Sequence, residues 1–161
     1  MNQHNPRIQM HVRYFKKLMN HKRLVLRAGR LIDVPLQRLI MHDWSKFRAD
    51  EWRLNVEVWG VDRKDQKKGA YEALRTIGFP LHKSRNDHHP EWWGTERMSY
   101  DALIESVADC WATSQEHGGN LWGWWFKEGK YKYHQADAMV FRRMVMKLYK
   151  FQDSGVLWGI K

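Results

Sequence analysis

The residues best equipped for chemistry form an ordered series of imidazoles and carboxylates: His21, His42 with Asp43 beside it, His82, His88 with His89, and Asp109. These side chains are the ligands that Mn, Fe, Co, Ni, Zn or Mg accept, and no thiolate is required of Cys110, the single cysteine. A cation held this way lowers the pKa of bound water and polarises a phosphoryl oxygen. The His42-Asp43 pair is the sharpest element. Read as part of a helix, its two side chains point about 100° apart, so one cation at the helix flank is within reach of both. Lys46, three residues after Asp43, then lies on nearly the same face and can neutralise a phosphate oxygen; an ion pair with Asp50 is the competing use. Lys22, Arg48, Lys83, Arg85 and Asn86 are placed to grip phosphate or sugar, or else belong to a solvated face. Glu51 is either a carboxylate available for chemistry or a cap of the third helix. Trp92 and Trp93 either stack on a base or pack their loop. His11 is the alternative to His21 as the early ligand, and His4, His117 and His134 read as surface or capping residues.

These side chains need helices to carry them. Apolar residues recur at helical spacing over 7–27 (Ile8, Val12, Phe15, Leu18, Met19, Val25, Leu26), with Gly29 ending or interrupting the run. Asp33 reads as an N-cap and Pro35 as the first turn of a second helix through Leu36, Leu39, Ile40 and Trp44. A third helix begins near Asp50, turns Trp52, Val56 and Trp59 inward, and ends at Gly60. After the polar stretch 61–68, a fourth covers 69–79 and resumes past Pro80 to about Arg85. Residues 86–98 read as a loop. Ser99 caps a fifth helix to about Glu116, with Leu103, Ile104, Val107, Ala108 and Trp111 inward and Gly118-Gly119 as its stop. LWGWWF (121–126) reads as irregular. A last helix spans about 134–151 with Met139, Val140, Met144, Leu148 and Phe151 on its inner side. No strand, internal repeat or low-complexity segment is evident.

The bulk properties bound the reading. With 161 residues, 43% hydrophobic and 29% charged, the chain is expected to form one globular domain. Ten Trp suggest an aromatic core or an interface, a homodimer among them. A net charge of +10, from 28 Lys and Arg against 18 Asp and Glu, favours anionic partners such as nucleotides or nucleic acid. One cysteine forms no internal disulfide and suits a reducing cytoplasm. No signal-peptide pattern or membrane-length apolar run is present, so an intracellular protein without a membrane partner is expected.

The series in its order resembles the HD-domain superfamily of metal-dependent phosphohydrolases, whose pattern is an early His, a His-Asp pair, optional further His residues and a late Asp. HDWSK (42–46) resembles its central motif and SVADCW (106–111) the helix bearing the late Asp. His88-His89 before Pro90 resembles the double-His stretch of the branch that cleaves cyclic dinucleotides, although HHPEWWG stands where that branch has Gly-Tyr-Pro. The set as a whole, over about 11–112, resembles more an uncharacterised group of small phage and bacterial HD-related proteins. The resemblance implies an all-α, HD-domain-like bundle of about six to seven helices, in a bacterium or a phage-infected host. It implies a first metal on His21, His42, Asp43 and Asp109, and a second, where two ions bind, on His82 and one of His88 or His89. Asp43 would orient the attacking water and Lys46 would stabilise charge on the phosphoryl oxygens of a nucleotide or related ester. Two rivals stand beside this reading. One is an HD-like di-iron oxygenase. The other is a non-catalytic basic module that binds nucleic acid or a host protein.

Overall fold

A computed structural model describes residues 5–153, so His4 and Trp158 lie outside the described residues. The protein is all-α, with no strand among those residues. Its helices are α1 (Pro6–Leu31), α2 (Leu36–Met41), α3 (Ala49–Trp59), α4 (Lys68–Ala73), α5 (Phe79–Lys83), α6 (Pro90–Trp93), α7 (Tyr100–Glu116), α8 (Leu121–Lys127) and α9 (Gln135–Asp153). Contacts divide the chain into two compact bodies. One combines the chain up to Asn20 with Asp43–Asn86; the other combines His21–His42 with the chain from Asp87 on. The three boundaries fall along the chemical series, at Asn20/His21, His42/Asp43 and Asn86/Asp87.

In the first body, Tyr14 and Leu18 from α1 pack on Val56 of α3, with Met10, Phe47, Trp52 and Trp59 around them. Gly60 caps α3, and a Cβ there would lie 2.5 Å from the Met10 carbonyl oxygen. Between α4 and α5 the chain does not leave the helix. A single π turn, Leu74–Gly78, joins them, and Pro80 sits in the first turn of α5. The expected break at Pro80 is absent because the widened turn accommodates a residue that has no N–H to donate.

The second body is built on α7. Ser99 accepts a hydrogen bond from the Ala102 N–H at its start, and Gly118 with φ 61° follows its end. Ala102, Leu103, Ile104, Val107, Ala108, Trp111 and Ala112 are all buried, so apolar contact covers most of the helix. α8 and α9 pack against it, adding Leu121, Trp125, Phe141, Val145 and Leu148 to the core. LWGWWF is helical and not irregular: the Asn120 side chain caps α8 through the Gly123 N–H, and Trp125 stacks on Phe141 at 4.3 Å.

Four local expectations are corrected. Gly29 neither ends nor interrupts α1; it lies within it, where a Cβ would fall 2.3 Å from Leu39 Cδ2, so close packing and not a stop selects glycine. Asp33 is no N-cap: it takes φ 66°, and its carboxylate pairs with Lys147. The last helix is rotated from the expected phase: Phe141 and Val145 are buried and Met139 is exposed. On α1, Ile8, Val12, Phe15 and Met19 are exposed, while Tyr14, Leu18, His21, Val25 and Ala28 face inward.

Candidate metal centre

α2 stops at Met41, and His42 and Asp43 lie in the break that follows, ahead of a 3-10 turn over Trp44–Phe47. Asp43 has φ 57°, a left-handed conformation that Asp tolerates better than most residues, so the pair does not share a helix. Leu39 carries the end of α2 into the core, whereas Ile40 and Trp44 are exposed. His42 and Asp43 are each only 1% exposed. The Lys22 ammonium holds the break by donating to the carbonyls of Ile40 and His42, which satisfies a helix C-terminus.

In the second body, three ligand atoms converge. His21 Nε2 lies 3.0 Å from Asp109 Oδ1 and 3.3 Å from His42 Nε2, and His42 Nε2 lies 3.8 Å from the same oxygen. A cation with ligands at about 2.0–2.1 Å, tetrahedral or octahedral, separates its ligand atoms by roughly 2.9–3.4 Å. The triangle is close to that size. His88 joins from the α6 side, with Nε2 3.8 Å from Asp109 Oδ2 and its ring 4.5 Å from that of His42.

The other nitrogens explain the orientation of these rings. His21 Nδ1 meets Glu116 at 3.0 Å, His42 Nδ1 meets Glu105 at 2.9 Å, and His88 Nδ1 meets the same Glu105 oxygen at 3.3 Å. A ring that donates its Nδ1–H to a carboxylate presents a lone pair at Nε2. Two such lone pairs and a carboxylate oxygen face one another across about 3 Å, an arrangement that calls for positive charge between them. A shared proton serves one pair; a dication serves all three atoms. Arg38 steadies the support, with Nε on Glu105 at 2.7 Å and the guanidinium also on Asp87 at 2.5 Å. These buried groups could hold a metal ion.

The first body holds Asp43 and His82. His82 Nε2 lies 3.0 Å from Asp43 Oδ1 and its Nδ1 2.9 Å from Glu51 Oε2. Burial works against the His82 charge, but Asp43 and Glu51 outweigh it and raise its pKa above the ordinary imidazole range. Burial likewise opposes ionisation of Glu51, but hydrogen bonds from His82 and Arg85 outweigh it and hold the carboxyl below its usual range. Lys46 pairs with Asp43, while Asp50 is taken by Arg85 at 2.7 Å. Asn86 Nδ2 donates to Ser45 Oγ at 2.8 Å and to the His82 carbonyl. Arg85 and Asn86 thus serve the scaffold around His82, and Glu51, which is fully buried, is no helix cap.

His11 accepts from the Trp52 indole at 2.8 Å. His89 stands at the N-terminal cap position of α6, its ring centre 4.4 Å from that of His88, and it is among the residues that could hold a metal ion. Trp93 donates to the Asp87 carbonyl and pins the loop, and Trp92 is exposed. His134 accepts from the Ala136 N–H. Sequence reasoning missed Glu105, Glu116 and Arg38. Glu105 and Glu116 stand four residues before and seven after Asp109 on one helix, the spacing that puts all three on one face; that signal was present.

Fold and site together define an all-α protein with a buried imidazole–carboxylate cluster suited to a cation. The chain belongs to a family of unknown function, DUF5662, whose model matches residues 10–148. None of the curated proteins and no solved structure matches it.

Proposed function

We propose that the protein is a metal-dependent phosphohydrolase of the HD type, acting on a nucleotide or related phosphate ester. The observation that carries the reading is the convergence of His21 Nε2, His42 Nε2 and Asp109 Oδ1 at 3.0, 3.3 and 3.8 Å, with carboxylates behind the imidazoles. The order of these residues in the chain, and their resemblance to HD-domain proteins, support it further. A divalent ion bound there supplies a Lewis acid and a water acidic enough to ionise near neutrality.

The protein's own residues do the rest. Asp109 and the two Nε2 lone pairs hold the positive charge. Glu105 and Glu116 fix the Nδ1 tautomers and the orientation of the rings, and Arg38 keeps Glu105 in place. The +10 net charge raises the local concentration of anionic substrate. Aromatic exposure at Trp92 and the basic surface also suit nucleic acid, but that reading assigns no work to the buried imidazoles.

The test is metal analysis of purified protein together with phosphate release from a panel of nucleotides. It is repeated on Asp109→Ala and, because the resemblance makes Asp43 a ligand, on Asp43→Ala. Bound metal in wild type, its loss in Asp109→Ala and metal-dependent phosphate release are expected. Equal metal in wild type and Asp109→Ala rejects the assignment.

A further inference from the structure

Of the apolar stripe that the sequence places on α1, Leu18 and Val25 are buried, but the residues Ile8, Val12, Phe15 and Met19 face solvent. Ile8, Val12, Phe15 and Met19 are 62%, 46%, 46% and 41% exposed. They follow spacings of four, three and four residues, the seam of a coiled coil. At about 100° per residue the stripe is only about 60° wide and, at 1.5 Å per residue, about 16 Å long.

Two further features identify what fits it. Across its 26 residues α1 carries eight Lys and Arg and no Asp or Glu. Lys16 stands on one edge of the stripe, where coiled coils place the charges that select a partner. A second copy of this face would set like charges against each other, so self-pairing is disfavoured. A bilayer surface rewards a broad apolar face, and this one is narrow. We propose that the exposed seam of α1 docks an amphipathic helix of a protein partner, with apolar residues at heptad spacing and Glu or Asp beside them. The proposal is independent of the metal-centre reading.

The test uses synthetic three-heptad peptides with Leu at both seam positions and either Glu or Lys on both flanks. Their affinity for the full chain is measured by anisotropy at low and high salt. The Glu peptide is expected to bind at least tenfold more tightly than the Lys peptide, and more weakly as salt rises. The charge-neutral double substitution Val12→Ser, Phe15→Ser is expected to weaken the Glu peptide at least tenfold with metal content and circular dichroism unchanged. Lys16→Glu is expected to shift preference toward the Lys peptide. Equal binding by both peptides, Glu-peptide binding that ignores the Ser substitutions, or no binding overturns the proposal. So does tighter binding to phosphatidylserine vesicles, or a dimer in sedimentation that the Ser substitutions dissolve.

Discussion

The two bodies contain the same local pattern used to different ends. In each, an imidazole has an Asp at Nε2 and a Glu at Nδ1: Asp109 and Glu116 for His21, Asp43 and Glu51 for His82. His82 meets, at both its nitrogens, carboxylates that Lys46 and Arg85 also touch. It can donate from both nitrogens, and its raised pKa follows from that. His21 shares its Asp with His42, whose Nε2 lies 3.3 Å away, and with His88. Protons cannot occupy every one of those facing nitrogens. An imidazole between two carboxylates that basic residues also touch forms an ion pair; several imidazoles around one carboxylate could hold a cation.

The largest effects should separate the two sets. Asp109→Ala or His42→Ala is expected to abolish bound metal and to lower phosphate release by a factor on the order of 10³, consistent with loss of the metal's contribution to catalysis. His82→Gln is expected to leave at least one ion per chain and to act on stability first, since it breaks a buried charged pair. Loss of half the metal on His82→Gln would break the comparison and make His82 part of a second metal position, as the resemblance implies. Next comes the supporting carboxylate. Glu105→Gln is expected to weaken metal affinity about 10–100-fold, the usual cost of losing such a partner, while Glu51→Gln leaves that affinity unchanged.

How the sequence foretold this contrast is uneven. α7 was legible because a Ser cap, an apolar face and a Gly-Gly stop agree. His21, His42 and Asp109 were legible from type and order. The break at His42-Asp43 was not: Leu36, Leu39 and Ile40 keep helical spacing up to it, and nothing local announces that Asp43 turns left-handed. Gly29 misled because a glycine selected by the approach of Leu39 looks the same as one that ends a helix. The α1 stripe was read as core because periodicity reports that a face is apolar, not what covers it. Glu105 went unseen because its neighbours Leu103, Ile104 and Val107 mark the helix as core, and a buried acid there depends on partners from α2 and the α6 loop.

A titration tests the ion-pair half. His82 has a raised native pKa, so its stabilisation is complete below the unfolded value of 6.5 and fades as pH rises through the native value. Glu51 has a lowered native pKa, so its share is complete above 4.5 and fades as pH falls through the native value. The stability difference between wild type and His82→Gln, from urea denaturation across pH 3–9, is therefore expected to be largest between about pH 4.5 and 6.5 and to shrink on both sides. A flat difference would mean that His82 contributes by packing alone.

The smallest effect concerns Cys110, the residue after Asp109. A thiol beside a metal ligand invites a role, but metals and alkylating reagents take the thiolate. Burial pushes the Cys110 pKa up to about 12, with the Asp109 charge adding to the rise, and its sulfur lies 3.8 Å from the Tyr133 hydroxyl. On a helix it points about 100° away from Asp109. Iodoacetamide at pH 8.5 is therefore expected to leave the native protein unlabelled and to modify it in urea. Cys110→Ala is expected to keep the full metal content, with the cluster served by nitrogen and oxygen alone. A drop in metal on Cys110→Ala, with the helical circular dichroism intact, would add sulfur to the ligand set and shift the expected ion toward softer metals.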